Sequence, residues 1–272
     1  MYNQLARKSA LIILYRVLTP FLGLISLILV KRYLGFEAVG LIAFSISFVA
    51  IFSFISDLGL SNAHTKKVNE GKLDEKKCNG TFVFLKTLLN LFTIIVIALY
   101  LSFQTNYMNY EFEHEITYTL ILLASLRLFL LNIKGIYATM TTSKTEIAVG
   151  IVPGIIYSFT QFFLKVGFLI SGFGVIYIFY SEIVALILLL VLNVYFIRYP
   201  LNLPNWKYIK DYFRFALPVM FTGFVLVYSK NIDKVMINYF IDSESVGIYV
   251  IPQRLLEVTL IISTSVVSIL YP

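Results

Sequence analysis

Eight long apolar segments constrain this chain more than any other feature. Each is long enough to cross a bilayer, which takes about 20 predominantly apolar residues in a helix. They cover residues 10–34, 38–60, 79–103, 116–140, 146–170, 175–197, 213–241 and 246–270. Runs such as 186–192 do not alternate polar and apolar residues, as strands of a membrane barrel do. Because only helices and closed barrels satisfy the backbone in lipid, the segments predict an all-α, polytopic membrane protein with about eight transmembrane helices.

The composition agrees with a membrane location. The chain has 272 residues, of which 59% are hydrophobic and only 14% charged, and this is too little charge to cover a soluble domain. The net charge of +7 is therefore assigned to cytoplasmic loops and to the spans, rather than to a nucleic-acid-binding surface. The basic N-terminus precedes a full-length span with no clean cleavage site, which predicts a retained first helix rather than a signal peptide.

If successive spans cross the membrane in alternating directions, most of the positively charged loops fall on the same side. The segments 61–77 and 198–214 are rich in lysine and arginine, whereas 104–115, 171–174 and 242–245 contain neither. The positive-inside rule then predicts a cytoplasmic N-terminus in a multi-pass protein of the cytoplasmic membrane. Lys31 and Arg32 are the exceptions, because they fall on the outer side, where both could reach lipid head groups.

The polar break around residues 198–210 predicts how the chain divides. We expect a six-helix N-terminal lobe (1–197), a cytoplasmic linker (198–212) and an incomplete second lobe of two helices (213–272). The sequence GFEAVGL at 35–41 has an echo in DSESVGI at 242–248, and each lies at a short outer turn. Pro20 and Pro218 also occupy the first span of each half. These matches indicate parallel repeats, which often place a substrate site between lobes near the midplane.

Charged residues inside the spans are the most informative side chains. A lysine or arginine at a helix centre costs about 2.5–3.5 kcal/mol on insertion scales, so retained cations predict a shared polar cavity suited to an anionic substrate. Arginine suits phosphate because its planar fork makes paired hydrogen bonds. The candidate substrate-binding residues are Arg16, Lys86, Arg127, Lys165 and Arg254. The candidates for charge balance or proton coupling are Asp57, Glu182 and Asp233.

Some intramembrane charges have a purely structural alternative. Arg254 and Glu257 lie three residues apart and could simply pair on one helix face. Asp233 could neutralise a lysine on its own helix. Snorkelling to the interface is the alternative for Lys134, Lys230 and Lys234.

No catalytic or metal-binding set stands out, so the sequence predicts no enzyme and no cofactor. His64 and His114 fall on opposite sides of the membrane, and neither has a second histidine or cysteine nearby. The single cysteine, Cys78, rules out a disulfide framework. The chain also contains no phosphate-binding loop, so any energy source must be an ion gradient, the substrate gradient or a partner.

Several short motifs resemble a known family. The segment RYLGFEAVGL at 32–41, after a basic N-terminus and a long span, is similar to the opening of Wzx-type polysaccharide flippases. Further similar motifs are SDLGL at 56–60, FALP at 215–218, NIDK at 231–234 and SVGIY at 245–249. The chain resembles this family, in the multidrug/oligosaccharidyl-lipid/polysaccharide superfamily, over essentially its whole length. The motifs are degenerate, so they identify the family better than the substrate.

The resemblance implies a two-lobed transporter of twelve or fourteen helices. It implies movement of polyprenyl-pyrophosphate-linked oligosaccharide from the cytoplasmic to the outer leaflet, by alternating access, for O-antigen or other cell-surface polysaccharide biosynthesis. A cationic central cavity would take the sugar-pyrophosphate head. The implied partners are this lipid-linked oligosaccharide, membrane lipids, and a polysaccharide polymerase or glycosyltransferases, and none of them is a nucleic acid. Since eight spans give one lobe and two helices of another, we expect a truncated transporter.

Three other functions remain open at this point. A cation-coupled multidrug exporter of the same superfamily should favour buried acids, and the excess of intramembrane cations argues against it. A non-transporting fragment that assembles with another subunit agrees with the missing second lobe. A membrane glycosyltransferase would need an outer loop with catalytic acids, and the acidic loop 104–115 is short for that role.

Overall fold

The computed structural model describes the backbone of residues 2–71, 73–107, 112–144, 147–197 and 199–270. Side chains are described at Tyr15 and from 17 to 260 within those ranges, except at 147 and 148. The helices in these ranges are α1 (Tyr2–Ile51), α2 (Ser53–Asp57), α3 (Leu60–Glu70), α4 (Glu75–Tyr107), α5 (Ile116–Ser143), α6 (Ile151–Ile170), α7 (Ile176–Phe196), α8 (Trp206–Phe240) and α9 (Ser243–Leu270). A short 3₁₀ turn, Ile147–Gly150, precedes α6. The predicted all-α, polytopic architecture is confirmed.

Six helices among the described residues are long and apolar enough to cross a membrane: Val17–Ile51, Glu75–Tyr107, Ile116–Ser143, Ile151–Ile170, Ile176–Phe196 and Trp206–Phe240. The first of them covers most of one predicted span and part of the next, because α1 is interrupted at Gly35, where φ is +88° and ψ is 177°. Glycine adopts this positive φ without the steric cost that a Cβ would bring. The remaining predicted span corresponds to α9.

The second predicted span is shorter as a helix than its hydropathy suggested. α1 ends at Ile51, and α2 ends where Leu58 and Gly59 both take positive φ, 44° and 79°. A Cβ on Gly59 would lie 2.6 Å from the carbonyl oxygen of Ala216 in α8. The glycine therefore allows the turn between α2 and α3 to touch the backbone of α8.

Four clusters of buried apolar residues hold the described part of the bundle together, and two of them are the largest. One joins α1, α4, α5 and α7 through buried residues such as Phe48, Ile97, Ile121 and Phe179. The other, which includes Tyr212, fixes the beginning of α8 against α3, α4 and α5. Outward faces stay apolar as well: α7 exposes Val184, Ile187, Val191 and Val194 at helical spacing. Such a face is suited to lipid rather than water.

The segment between α7 and α8 is docked on the rest of the protein. The Asn79 amide donates to the Pro200 carbonyl at 3.1 Å, and the backbone N–H of Asn205 donates to the Thr81 hydroxyl at 2.9 Å. Asn205 also caps α8 by accepting from the N–H of Lys207 at 3.0 Å. Helix α8 thus begins within the predicted linker 198–212, and the division of the chain into lobes stays a prediction.

The two echoing sequence segments meet each other in space. A Cβ on Gly40 of α1 would lie 1.6 Å from the carbonyl oxygen of Ser243 at the start of α9. A Cβ on Gly247 of α9 would lie 2.0 Å from the carbonyl oxygen of Phe36. When GFEAVGL is aligned with DSESVGI, Phe36 corresponds to Ser243 and Gly40 to Gly247. The contact is therefore reciprocal, as expected for two repeats related by an approximate twofold axis.

Candidate functional site

A large cavity lies between α8 and α9 on one side and α1, α5, α6 and α7 on the other. Its volume is about 540 Å³, within the range of small-molecule sites in proteins. The walls therefore combine five of the first six predicted spans, all but the third, with the last two. This is the position that the parallel-repeat hypothesis predicts for a substrate site.

The charged side chains of the cavity wall are mostly cationic. Among the residues whose side chains the structure describes, five cations and two carboxylates line it: Arg127, Lys165, Lys230, Lys234, Arg254, Glu182 and Glu257. Neutral polar groups add hydrogen-bonding capacity, among them Gln161, Asn231 and Gln253. The excess of positive charge, in a site with partly apolar walls, favours an anionic ligand.

Arg127 of α5 and Glu182 of α7 form the central ion pair of the cavity. Arg127 Nε lies 2.6 Å from Glu182 Oε1, and the side chains are 21% and 10% exposed. At this distance the guanidinium and the carboxylate are in direct contact as an ion pair. Pairing offsets the cost of removing both charges from water, and it holds the guanidinium in a fixed place.

Lys165 of α6 lines the same cavity with no hydrogen bond or ion pair to any residue that the structure describes. It interacts electrostatically with Glu182, Arg127 and Arg254. Glu182 in turn interacts with Arg127, Lys165 and Lys134. Glu182 thus interacts with three cations, of which Arg127 and Lys165 line the cavity.

Helices α8 and α9 carry two further charge pairs that involve residues of the cavity wall. Arg254 Nη1 donates to Glu257 Oε2 at 2.7 Å, so these residues do pair along one helix face. Lys234, only 9% exposed, donates to the Asp233 carboxylate at 3.1 Å. Asp233 also accepts from the Tyr249 hydroxyl at 2.7 Å, which links α8 to α9.

Hydrogen bonds between helices shape the α1 and α6 side of the cavity. The Thr19 and Ser158 hydroxyls lie 3.0 Å apart and join the two helices. Gly154 lets Tyr15 approach closely, because a Cβ there would lie 2.7 Å from the tyrosine hydroxyl oxygen. The cavity wall beside these contacts is therefore fixed by side-chain hydrogen bonding and close packing.

The structure brings only part of the predicted site together. Arg127, Lys165, Arg254 and Glu182 line the cavity. Lys86 and Asp57 lie outside it and pair with each other at 2.6 Å, and Asp233 is outside its lining as well. Ser61 donates to the same Asp57 oxygen at 2.5 Å. The Arg16 side chain lies outside the described residues, so its part in the site stays a prediction, as does that of Lys86.

Lys230 and Lys234 are cavity residues that the predicted site left out. They are four residues apart on α8, with Asn231 beside them, so all three fall on one helix face. This spacing could have identified the two lysines from the sequence, because a polar stripe along an otherwise apolar helix predicts a face turned away from lipid. Proximity to the helix end made snorkelling an equally good explanation.

The fold defines the class of this protein. An inward-facing multidrug resistance MATE family transporter of the MOP superfamily superposes with a TM-score of 0.63 and 16% identity, over 89% of this chain and 60% of that one. The MATE multidrug transporter DinF-BH, in a ligand complex, also gives 0.63, with 18% identity, over 97% and 62%. The chain is an all-helical, multi-pass membrane protein with a MATE-like fold.

The chain belongs to the polysaccharide biosynthesis protein family, whose pattern matches residues 5–272. It is 23% identical over 270 residues to the probable flippase AglR of Haloferax volcanii, covering 99% of this chain and 55% of the relative. The chain thus spans about half the length of the curated relative it matches. The predicted resemblance to polysaccharide flippases is confirmed at the level of the family.

Proposed function

We propose that this chain forms part of a flippase that moves a lipid-linked pyrophosphate oligosaccharide across the cytoplasmic membrane for cell-surface polysaccharide biosynthesis. The observation that carries the proposal is the cationic cavity between α5–α7 and α8–α9. Membership of the polysaccharide biosynthesis family and similarity to a probable flippase support the same class of substrate.

The cavity residues have distinct proposed roles. Arg127 and Lys165 attract the pyrophosphate, and the Arg127 guanidinium offers paired donors to its oxygens. Arg254, Lys230 and Lys234 extend the positive wall on the opposite side. The lipid tail stays in the bilayer, because the pyrophosphate and sugars are the parts that need a polar environment. Rocking of two lobes then exposes the head group on the outer side.

Glu182 is the proposed charge-balancing residue. It neutralises Arg127 at 2.6 Å. A pyrophosphate that binds Arg127 would compete with Glu182 for the same cation, and protonation of Glu182 would relieve the resulting repulsion. The carboxylate is thus placed to couple substrate binding to a proton.

Orientation and lobe boundaries belong to the same proposal. The loop charges support a cytoplasmic N-terminus. The residue ranges 1–197, 198–212 and 213–272 are the proposed lobe, linker and second-lobe start. A polysaccharide polymerase or glycosyltransferases are the proposed protein partners, because they make or consume lipid-linked sugar.

The test is transport in proteoliposomes loaded with a polyprenyl-pyrophosphate sugar. A glycosidase added outside should cleave more sugar over time when the protein is present, and the Arg127→Gln/Lys165→Gln variant should slow this gain at least tenfold. The matched control is Lys207→Gln/Lys210→Gln, which removes the same charge at exposed positions of α8. Equal rates for the cavity variant and the control would contradict the proposal.

The same vesicles discriminate the two alternatives. A multidrug-type exporter, suggested by the shared fold with MATE multidrug transporters, would move a cationic dye and ignore the lipid-linked sugar. A non-transporting subunit would bind the sugar lipid without moving it. The cationic wall argues against the dye, because a cationic ligand would be repelled.

A further inference from the structure

Residues 199–206, here called the connector, join α7 to α8 and present apolar side chains outward. Leu201 and Leu203 are 58% and 82% exposed, and Trp206, the first residue of α8, is 72% exposed. Leu203 is more exposed than any other large apolar side chain that the structure describes. Apolar side chains gathered in this way on a surface mark an interaction site, because water solvates them poorly.

The backbone of the connector is fixed against the first two turns of α4. The N–H of Asn202 donates to the Lys76 carbonyl at 3.2 Å. A Cβ on Gly80 would lie 1.8 Å from the Asn202 carbonyl oxygen, so the two backbones are in direct contact. The Pro200 carbonyl and the Asn205 N–H also form hydrogen bonds with α4 side chains. These contacts hold the apolar side chains in their outward positions.

Trp206 continues the surface of α4 that faces lipid. Its ring makes an edge contact with the ring of Phe84, with the centroids 5.9 Å apart. Phe84 begins a stripe of exposed apolar residues at helical spacing on α4, which continues through Leu88, Leu91, Phe92 and Ile95. This stripe belongs to one of the helices long and apolar enough to cross a membrane. The connector is therefore continuous with the lipid-facing surface, and lipid is the neighbour that covers it.

Two lysines lie beside the connector in the first turn of α4. Lys76 is exposed and Lys77 is partly exposed, and neither forms an ion pair with a residue that the structure describes. The nearest acids in the sequence have other partners. Asp74 accepts from the backbone N–H groups of both lysines, at 2.9 and 3.4 Å, and Glu75 pairs with Lys144 at 2.6 Å. The two ammonium groups are thus available to an anion outside the protein.

The spacing along α4 matches the layers of a bilayer. Lys77 precedes Phe84 by seven residues, which is about 10 Å along a helix. The polar head-group layer is a little thinner than this on each side of the hydrocarbon core. When Phe84 and Trp206 lie at the edge of the hydrocarbon, the lysines can therefore reach the head groups.

We propose that the connector is a membrane-interface anchor whose apolar side chains enter the leaflet at this end of the bundle, while Lys76 and Lys77 bind the phosphates of anionic phospholipid head groups. Tryptophan is enriched at this depth, because its ring is apolar and its N–H needs a polar partner. Lysines beside an anionic leaflet gain from its negative surface potential. The predicted linker is thus held at the bilayer surface, and this assignment is independent of the proposed transport of lipid-linked sugar.

Tryptophan fluorescence tests the depth of the connector. Trp206 is the only tryptophan of the chain, so the signal reports on this position alone. With the full chain in phosphatidylcholine nanodiscs, a phosphatidylcholine brominated near the head-group end of its acyl chains should quench Trp206 strongly. Iodide in the surrounding water should quench it weakly. Strong quenching by iodide without quenching by the brominated lipid would overturn the proposal and leave the connector open to a protein partner instead.

Brominated phosphatidylglycerol and brominated phosphatidylcholine, at equal mole fractions, test the role of the lysines. We expect the lipid site beside Trp206 to prefer phosphatidylglycerol by about fivefold for each lysine. Lys76→Gln/Lys77→Gln should abolish this preference. Lys31→Gln/Arg32→Gln, which removes the same charge at exposed positions of α1 on the predicted outer side, should preserve it. Equal quenching by both lipids in the unchanged protein, or a preference that survives Lys76→Gln/Lys77→Gln, would overturn the anionic-lipid site.

A substitution at Leu203 tests the apolar contact separately. Its side chain is 82% exposed, so Leu203→Asp leaves the protein core intact. This variant should lower the quenching of Trp206 by the brominated phosphatidylcholine, because a carboxylate does not enter hydrocarbon without a large cost. Leu203→Met keeps an apolar side chain and should retain the quenching. Unchanged quenching in Leu203→Asp would show that the connector is not inserted and would overturn the proposal.

Discussion

Gly40 and Gly247 make the same backbone contact in opposite directions. Each glycine faces a carbonyl oxygen of the other's helix, Gly40 that of Ser243 and Gly247 that of Phe36. Both lie in the echoing sequence segments, next to Val39 and Val246, which are 1% and 0% exposed. The repeat in the sequence is therefore also an interface in the fold. This interface joins α1 to α9 beside the cationic cavity.

The glycine contact predicts a strong steric effect. Gly247→Ala places a methyl group where the Phe36 carbonyl oxygen lies, so α1 and α9 must separate. We expect a loss of about 1–3 kcal/mol of stability, measured as a lower midpoint in a thermal unfolding series followed by circular dichroism. Gly223→Ala is the control, because a Cβ at that helical position meets nothing within 4 Å. It should be neutral or stabilising by up to about 1 kcal/mol; equal destabilisation by both would contradict the packing.

The effects of substituting Arg127 and Glu182 on stability should not be additive. Arg127→Met alone or Glu182→Leu alone leaves a buried charge without its partner, at a cost of about 3 kcal/mol each. The double variant removes both charges and should regain most of that loss. A double-mutant cycle on thermal stability measures the coupling, and simple additivity would show that the two side chains do not depend on each other.

We expect the Lys86–Asp57 pair to stabilise the fold without taking part in substrate binding. Lys86 is 4% exposed, so Asp57→Asn should strand a buried ammonium and destabilise the protein by about 2 kcal/mol. The comparison is Glu70→Gln, which breaks the exposed Lys66–Glu70 pair and should cost well below 1 kcal/mol. Binding of sugar lipid should survive both changes. Selective loss of binding in Lys86→Gln, with stability retained, would instead support the sequence prediction for Lys86.

His64 predicts a loss of stability at mildly acidic pH. Burial lowers the pKa of His64 to about 4, although the Glu75 charge opposes this shift. The Tyr212 hydroxyl donates to the Cys78 carbonyl at 3.2 Å and lies 2.8 Å from His64 Nδ1, so the neutral ring donates from Nδ1. Its Nε2 is buried without a partner among the described residues, so a proton there would have no acceptor.

The lowered pKa of His64 sets the direction in which stability changes with pH. The unfolded chain takes up the proton near pH 6.5 and the folded protein only near pH 4, so stability falls as pH drops through that window, by about 3 kcal/mol. Unfolding in denaturant at a series of pH values measures the slope. His64→Phe keeps the stacking on Phe82 and should flatten it. Both the reference protein and the His64→Phe variant should also carry His114→Gln, so that the other histidine does not contribute. An unchanged slope in His64→Phe would then contradict the assignment to His64.

The helices of this fold could be predicted from the sequence because long apolar segments mark the parts of the chain that cross a membrane. Each predicted span has a helix in the structure, since no other open structure satisfies the backbone in lipid. The break of α1 at Gly35 was visible as the short turn between two spans. The ends of helices were harder to predict, because the turn at Leu58 and Gly59 depends on packing against Ala216.

The charge of the site was easier to predict from the sequence than the identity of the residues that line it. Arg127, Lys165 and Glu182 were identified because intramembrane charges are costly. Lys86 has the same signal, yet its helix turns it toward Asp57 rather than the cavity. Helix rotation is set by neighbouring side chains, which a single sequence does not reveal.

Native mass spectrometry of the protein extracted from its own membrane tests the cationic cavity most directly. The account predicts a bound polyprenyl-pyrophosphate sugar on the unchanged protein and on Lys207→Gln/Lys210→Gln. It predicts loss of that mass in Arg127→Gln/Lys165→Gln, with the fold retained. Equal retention of the sugar lipid in the cavity variant, or only bulk phospholipid on the unchanged protein, would contradict it.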